Sequence, residues 1–179
     1  MARRKNPYGI LNGTKVIVAS EDVKSSLKSR DFGEERDTRL ELSLFEALFL
    51  VESKNFDVIS FEKSGKQKKL NFEDILKAAS SEENFYSKYK VYKDLKMRGL
   101  VTKTGFKFGA DFRVYERGAT VKKDHSTSLV HVVPEEYTCS FPELVRAVRL
   151  SGNVNKNMVF AVVDGEGDIS YYRIDRIRF

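Results

Sequence analysis

Two histidines, one cysteine and several carboxylates are the side chains with which this chain of 179 residues could do chemistry. His125 and His131 lie six positions apart, which is out of phase for two metal ligands on one helix. His131 falls on the Leu129/Val133 face of an apolar run and reads as a core side chain. His125 sits in the polar segment Lys122-Lys123-Asp124-His125-Ser126, where an imidazole is free to exchange a proton with solvent. The single Cys139 excludes an internal disulfide framework and a cysteine-based zinc cluster. Asp164, Glu166 and Asp168 concentrate charge in a five-residue turn, too short and too poor in ligands for calcium. Asp111 and Glu116 flank a strand beside a basic loop and raise the alternative of a metal-dependent nuclease. The Pro-Asp…Glu-x-Lys pattern of such enzymes does not accompany them. Gly-rich phosphate loops ending in Gly-Lys-Ser/Thr, His-Glu-x-x-His and Gly-x-Ser-x-Gly are absent from the sequence. These observations predict neither a metal nor a cofactor.

The elements that must position these groups are of mixed α/β type. In the first half Lys15–Ala19 and Phe56–Ser60-Phe61 suit strands, and Ser64-Gly65-Lys66 suits a turn. Leu40–Val51 carries Leu44, Leu48 and Val51 at helical spacing. Asn71 fits an N-cap before Phe72, Glu73 and Asp74. The polar stretch from Ser20 to Thr38 has no clear assignment. Asn84 then precedes a helix with Phe85, Tyr89, Tyr92 and Leu95 on one face, an aromatic stripe of core type, and Gly99 just past its end. Beyond Gly99 the period changes to two. Leu100–Thr104 suits a strand. Phe106, Phe108, Ala110, Phe112 and Val114 alternate with Lys107, Gly109, Asp111, Arg113 and Tyr115, which predicts a buried set and an open set. Leu129–Val133 suits a strand. Ser140-Phe141-Pro142-Glu143 is a capping box opening a helix through Leu150, with a loop over residues 151–155. Residues 158–163 and 169–177 form a hairpin around the acidic turn. The expected organisation is therefore an N-terminal domain of residues 1–84 and a C-terminal domain of residues 85–179. The latter is a mixed β-sheet with one helix before it and one inserted in it.

Charge divides along the same line. The net charge is +6, yet residues 1–84 hold 15 basic and 15 acidic side chains, against 17 and 11 in residues 85–179. Excess positive charge confined to one domain points to a polyanionic partner, with nucleic acid the first candidate. Apolar residues make up 41% of the chain, enough for a core, but no apolar run approaches the roughly 20 residues of a membrane span. Met1–Pro7 is basic with no apolar stretch behind it, so no secretory signal and a cytoplasmic location are expected.

Phe106–Tyr115, then His125-Ser126, then Leu129-Val130-His131-Val132, resemble the catalytic domain of the tRNA-splicing, or tRNA intron, endonucleases. Tyr92–Gly99 with Leu100-Val101, Arg146–Leu150 with Val154-Asn155-Lys156, and Tyr171-Tyr172-Arg173 extend the resemblance over residues 85–179. Chain length and the less distinctive first half are similar to the archaeal homotetrameric type. One departure is Asn155, where a basic or small residue is expected before Lys156.

The resemblance implies a two-domain α/β protein whose C-terminal domain is restriction-endonuclease-like, with residues 1–84 serving structure and assembly. It implies an endoribonuclease that cuts precursor tRNA at a bulge–helix–bulge, with Tyr115, His125 and Lys156 as catalytic residues. The 2′-OH beside the scissile phosphate would attack, giving a 2′,3′-cyclic phosphate and a 5′-OH without metal, as an RNA-cleaving lyase. An imidazole, with a reference pKa of about 6.5, suits the general acid. An ammonium suits the extra charge of the phosphorane. A phenol titrates near about 10 and acts as base only beside positive charge, or else orients the 2′-OH. DNA would bind without being cut. By the same resemblance Arg149 and Arg176 contact RNA, with the terminal arginines up to Arg178 hard to register. Asp164, Glu166 and Asp168 dock a neighbouring subunit of a homotetramer, a dimer of dimers. The alternative is a non-catalytic RNA-binding subunit of a splicing endonuclease complex.

Overall fold

The computed structural model describes residues 6–62 and 64–177; the basic Met1–Lys5 and Arg178 lie outside them. The chain divides into two compact units, one ending at Phe85 and the next beginning at Tyr86.

In the first unit the order is β1 (Tyr8–Asn12), β2 (Lys15–Val18), α1 (Glu21–Lys28), β3 (Glu34–Arg36), β4 (Arg39–Ser43), α2 (Leu44–Glu52), β5 (Asp57–Phe61), β6 (Gln67–Leu70) and α3 (Phe72–Ala78). Its six strands form one sheet in the order β3-β4-β2-β1-β5-β6, with β1 and β5 parallel. The polar stretch without assignment is thus α1 and β3. The helix expected from Leu40 starts instead at Leu44. Leu40 and Leu42 alternate as β4 residues paired with Val18 and Val16, and all four are buried. The switch of period happens at Ser43. Its Oγ accepts from the Glu46 N–H at 3.3 Å, and the Glu46 carboxylate accepts from the Ser43 N–H at 2.8 Å. Asn71 opens α3 in the same reciprocal way with Asp74.

The second unit holds α4 (Phe85–Met97), β7 (Val101–Thr104), a 3₁₀ turn (Phe106–Phe108), β8 (Phe112–Tyr115), β9 (Ser128–Pro134), α5 (Phe141–Asn153), β10 (Asn157–Val163) and β11 (Ile169–Ile174). The sheet order is β11-β10-β9-β8-β7, antiparallel except for β9 and β10. One face packs on α4. Phe112 and Val130 are paired on that face, and the Tyr92 ring of α4 lies 6.0 Å from the Phe112 ring. The other face packs on α5. There Leu129 and Met158 are paired, and with Ala110 they form a cluster against Phe108, Ala147 and Val154. The aromatic stripe of α4 is core: Phe85, Tyr89, Tyr92 and Leu95 are all buried.

The alternation over residues 106–114 does not form one strand. Thr104 pairs with Phe112, so residues 105–111 close a hairpin loop, and Phe106, expected inside, is 92% exposed. Two glycines permit this. Gly109 has φ +63°, and a Cβ on Gly105 would sit 2.8 Å from the Phe112 carbonyl carbon.

Asp111, weighed above as a metal ligand, joins α4 to the sheet instead. It pairs with Lys88 Nζ at 3.0 Å, accepts from the Val132 N–H at 2.8 Å and faces His131 Nδ1 at 3.8 Å. Burial pushes its carboxyl up, but the facing His131, the Val132 N–H and Lys88 outweigh that and hold it below its ordinary range. A depressed carboxyl stabilises the fold fully above the unfolded value of about 3.9 and loses that contribution as pH falls through the folded value. Asp111→Asn should therefore cost about 1–3 kcal/mol in urea unfolding at pH 7. The gap to wild type should shrink below about pH 4; a gap of the same size at pH 3 would exclude this role.

Candidate active site

The register of the second sheet decides which side chains share a row. Arg113 pairs with Leu129, and Leu129 with Met158, on the α5 face. Side chains repeat on one face every second residue, so Tyr115, Thr127 and Lys156 form the next row on that face, at one end of the sheet. Thr127 ties the row together. Its N–H donates to the Val114 carbonyl at 2.8 Å, and its carbonyl accepts from the Asn157 N–H at 2.9 Å. The backbones of Tyr115 and Lys156 are thus two strand spacings apart, roughly 10 Å, which two long side chains can span.

Tyr115 is the last residue of β8 and is paired with Val101. It lies on the Arg113 face, as the alternation predicts, and the Arg113 guanidinium sits 6.0 Å from its ring centroid. That face is not open, however: Tyr115 is 3% exposed. Its strand is interior to the sheet, and the α5 side of the sheet is covered.

Lys156 is aimed by the end of α5. The Asn155 N–H donates to the Gly152 carbonyl and the Lys156 N–H to the Ser151 carbonyl, at 3.2 and 2.9 Å. This pair of bonds closes a helix with a left-handed residue, and Asn155 has φ +53°. Asn155 is one of the few side chains that accept such a conformation, which accounts for its presence before Lys156. The ammonium then donates to the Ser126 carbonyl at 2.8 Å and stands 6.0 Å from the Phe108 ring centroid.

That bond reaches the residue next to His125. His125 is exposed, in the loop between β8 and β9, while Ser126 is buried. The turn before it is closed by Asp124, whose carboxylate accepts from the Thr120 N–H at 2.7 Å and whose N–H donates to the Thr120 carbonyl at 2.9 Å. The histidine is therefore held from both sides, by an ordered turn and by the lysine. Sequence reasoning missed Asp124, Phe108 and the Ser126 carbonyl. No local spacing signals the first, because its carboxylate reaches back four residues to the Thr120 N–H.

The RNA-contact candidates lie toward the same end. Met158 pairs with Ile174, the last residue of β11, and Arg176 follows two residues beyond that end. Arg149 is exposed one turn before the end of α5. The acidic turn is at the far end of β10, some seven residues or roughly 23 Å away. Asp164 Oδ1 accepts three backbone N–H groups, from Glu166, Gly167 and Asp168, at 2.7–3.0 Å. Asp164 thus builds the turn, and Glu166 and Asp168 are the exposed carboxylates on it. His131 is half-buried beside Asp111 and the Phe160 ring, within the body of the domain. Among the described residues no group of three metal-ligating side chains converges, and no helix is long and apolar enough to cross a membrane.

Residues 85–171 match the family of the tRNA intron endonuclease catalytic C-terminal domain, and residues 8–76 match that of its N-terminal domain. The chain belongs to the tRNA intron endonuclease family. It is therefore an endonuclease. It is 39% identical over 171 residues to a tRNA-splicing endonuclease of Thermococcus kodakarensis, covering 94% of this chain and 97% of that protein. It is 36% identical over 176 residues to one of Methanothermobacter thermautotrophicus, covering 95% and 97%. The match to the catalytic domain spans Tyr115, His125 and Lys156 together with the strands β8, β9 and β10 beside which they lie.

Proposed function

We propose that this endonuclease removes introns from precursor tRNA by cutting at a bulge–helix–bulge, and that Tyr115, His125 and Lys156 carry the reaction. One observation supports this above the others: a phenol and an ammonium share one row of one sheet face, and the ammonium is bonded to the backbone beside an exposed imidazole. In the reaction the 2′-oxygen bonds to phosphorus while its proton passes to the base, Tyr115. The bond to the 5′-oxygen breaks, and His125 gives that oxygen a proton. Lys156 stabilises the phosphorane between the two steps. Water is neither consumed nor produced, and the ends are a 2′,3′-cyclic phosphate and a 5′-OH. End-group analysis of RNA cut by the purified protein in EDTA tests this. A 3′-OH with a 5′-phosphate, or no cleavage without magnesium, would reject it.

The RNA, having many phosphates, would meet the +6 charge that resides in the C-terminal domain. Arg149 and Arg176 would hold its splayed bases by stacking guanidinium planes on them. The chain would act as a homotetramer, with β11 pairing across a two-fold axis as an exposed edge strand. Glu166 and Asp168 would dock into a basic groove on a neighbour. Because Asp164 builds the turn, the clean test spares it. Glu166→Lys with Asp168→Lys should lower the mass measured by light scattering from tetramer to dimer; an unchanged tetramer would reject the docking role.

A further inference from the structure

We propose that Phe106 is a stacking platform for an unpaired base of the substrate RNA, an inference that rests on the function proposed above. Phe106 is 92% exposed, the most exposed of the chain's large apolar side chains named among the described residues. It is not on a loose segment. The Gly105 N–H donates to the Asp111 carbonyl at 2.8 Å, the Phe108 N–H to the Gly105 carbonyl at 2.7 Å, and the Gly109 N–H to the Phe106 carbonyl at 3.1 Å. The missing Cβ of Gly105 lets this turn sit against the backbone of Phe112. A rigid turn that displays a phenylalanine to water loses hydrophobic burial and little conformational entropy, a combination suited to receiving a ligand.

The position relative to the site identifies the ligand. Phe108, on the same 3₁₀ turn, packs against Leu129 and Met158 and places its ring 6.0 Å from the Lys156 ammonium. Two residues of 3₁₀ helix rise only about 4 Å, so Phe106 leaves the chain a short step from the residue that packs beside Lys156. Lys107, between the two phenylalanines in the chain, is exposed and offers a charge to an RNA backbone. The ring's immediate chain neighbours, Gly105 and Lys107, add no apolar surface to it. A protein partner needs a broad apolar area, whereas one aromatic face flanked by an ammonium is what a splayed base and its phosphate require.

The test uses the full chain and a bulge–helix–bulge RNA with 2′-deoxyribose at each cleavage position, so that binding is read without cutting. Phe106→Ala and Phe106→Leu should each weaken binding about tenfold or more, the scale of losing one base–aromatic stack. Phe106→Trp should bind within about twofold of wild type. All three should keep the wild-type mass in light scattering. Leucine binding as well as phenylalanine would overturn the inference, because apolar bulk alone would then suffice. So would unchanged binding by the alanine variant, weakening by tryptophan as well, or a fall in assembly mass, which would show that a second copy covers the ring. Wild-type cleavage of the all-ribose RNA is measured alongside. If wild type cuts while leucine matches it, only the role of Phe106 falls; if wild type neither binds nor cuts, the functional reading falls and takes this inference with it.

Discussion

His125→Ala is expected to lower the single-turnover cleavage rate by about 10²–10⁴-fold, the range for losing a general acid. RNA affinity should stay within about twofold, since one exposed imidazole contributes little to binding a polyanion that meets many cations. The departing 5′-oxygen is a poor leaving group unless it is protonated as the bond breaks, so the loss falls on the chemical step. Stability should hardly change. His125 is exposed, and the turn before it is closed by Asp124 and Thr120 rather than by the imidazole. Single-turnover rates with saturating protein, filter binding and thermal unfolding separate these effects. A variant that cuts at the wild-type rate would reassign the acid. One that loses binding in step with cleavage would make His125 a structural or RNA-holding residue.

Lys156→Ala should lower cleavage by about 10²–10³-fold, the size reported by removing one group that stabilises transition-state charge. The charge role proposed for this side chain is superimposed on a structural one, because the ammonium donates to the Ser126 carbonyl at 2.8 Å. On the proposed mechanism its loss would remove positive charge from the phosphorane and free the strand entry beside His125. Lys156→Gln separates them, since an amide can still donate to that carbonyl but carries no charge. If electrostatics dominates, glutamine is as slow as alanine under single-turnover conditions. A glutamine variant near the wild-type rate would make Lys156 a tether for the histidine loop and leave the phosphorane to another cation.

The fold and the candidate site were legible in the sequence to different depths. Ser140 with Glu143 and Asn71 with Asp74 are local signals, and both caps form as expected. The aromatic stripe from Phe85 to Leu95 needs only helical spacing and a core to pack on. Leu40 and Leu42 show the limit: their period of two runs directly into the helical period from Leu44, and the join is visible only if Ser43 and Glu46 are recognised as a cap. Residues 106–110 mislead for a different reason. Their alternation is real, but Gly105 and Gly109 turn the chain there, so Phe106 ends in water and Phe108 against the sheet. Tyr115 lies on the predicted face, yet it is buried there, because its strand lies inside a sheet whose faces are covered by helices that local alternation does not reveal. The row of Tyr115, Thr127 and Lys156 arises from pairings between strands distant in sequence, which no local pattern encodes.

Position 155 carries an unexpected burden. Its side chain is exposed, so by accessibility alone it should tolerate nearly any substitution. Its left-handed backbone narrows the choice to glycine, asparagine or aspartate, with others costing about 1–2 kcal/mol. A saturation screen should therefore find a solvent-facing site, silent in every chemical step, where most substitutions still lower stability, because it sets the angle at which the chain leaves a helix and delivers the next residue.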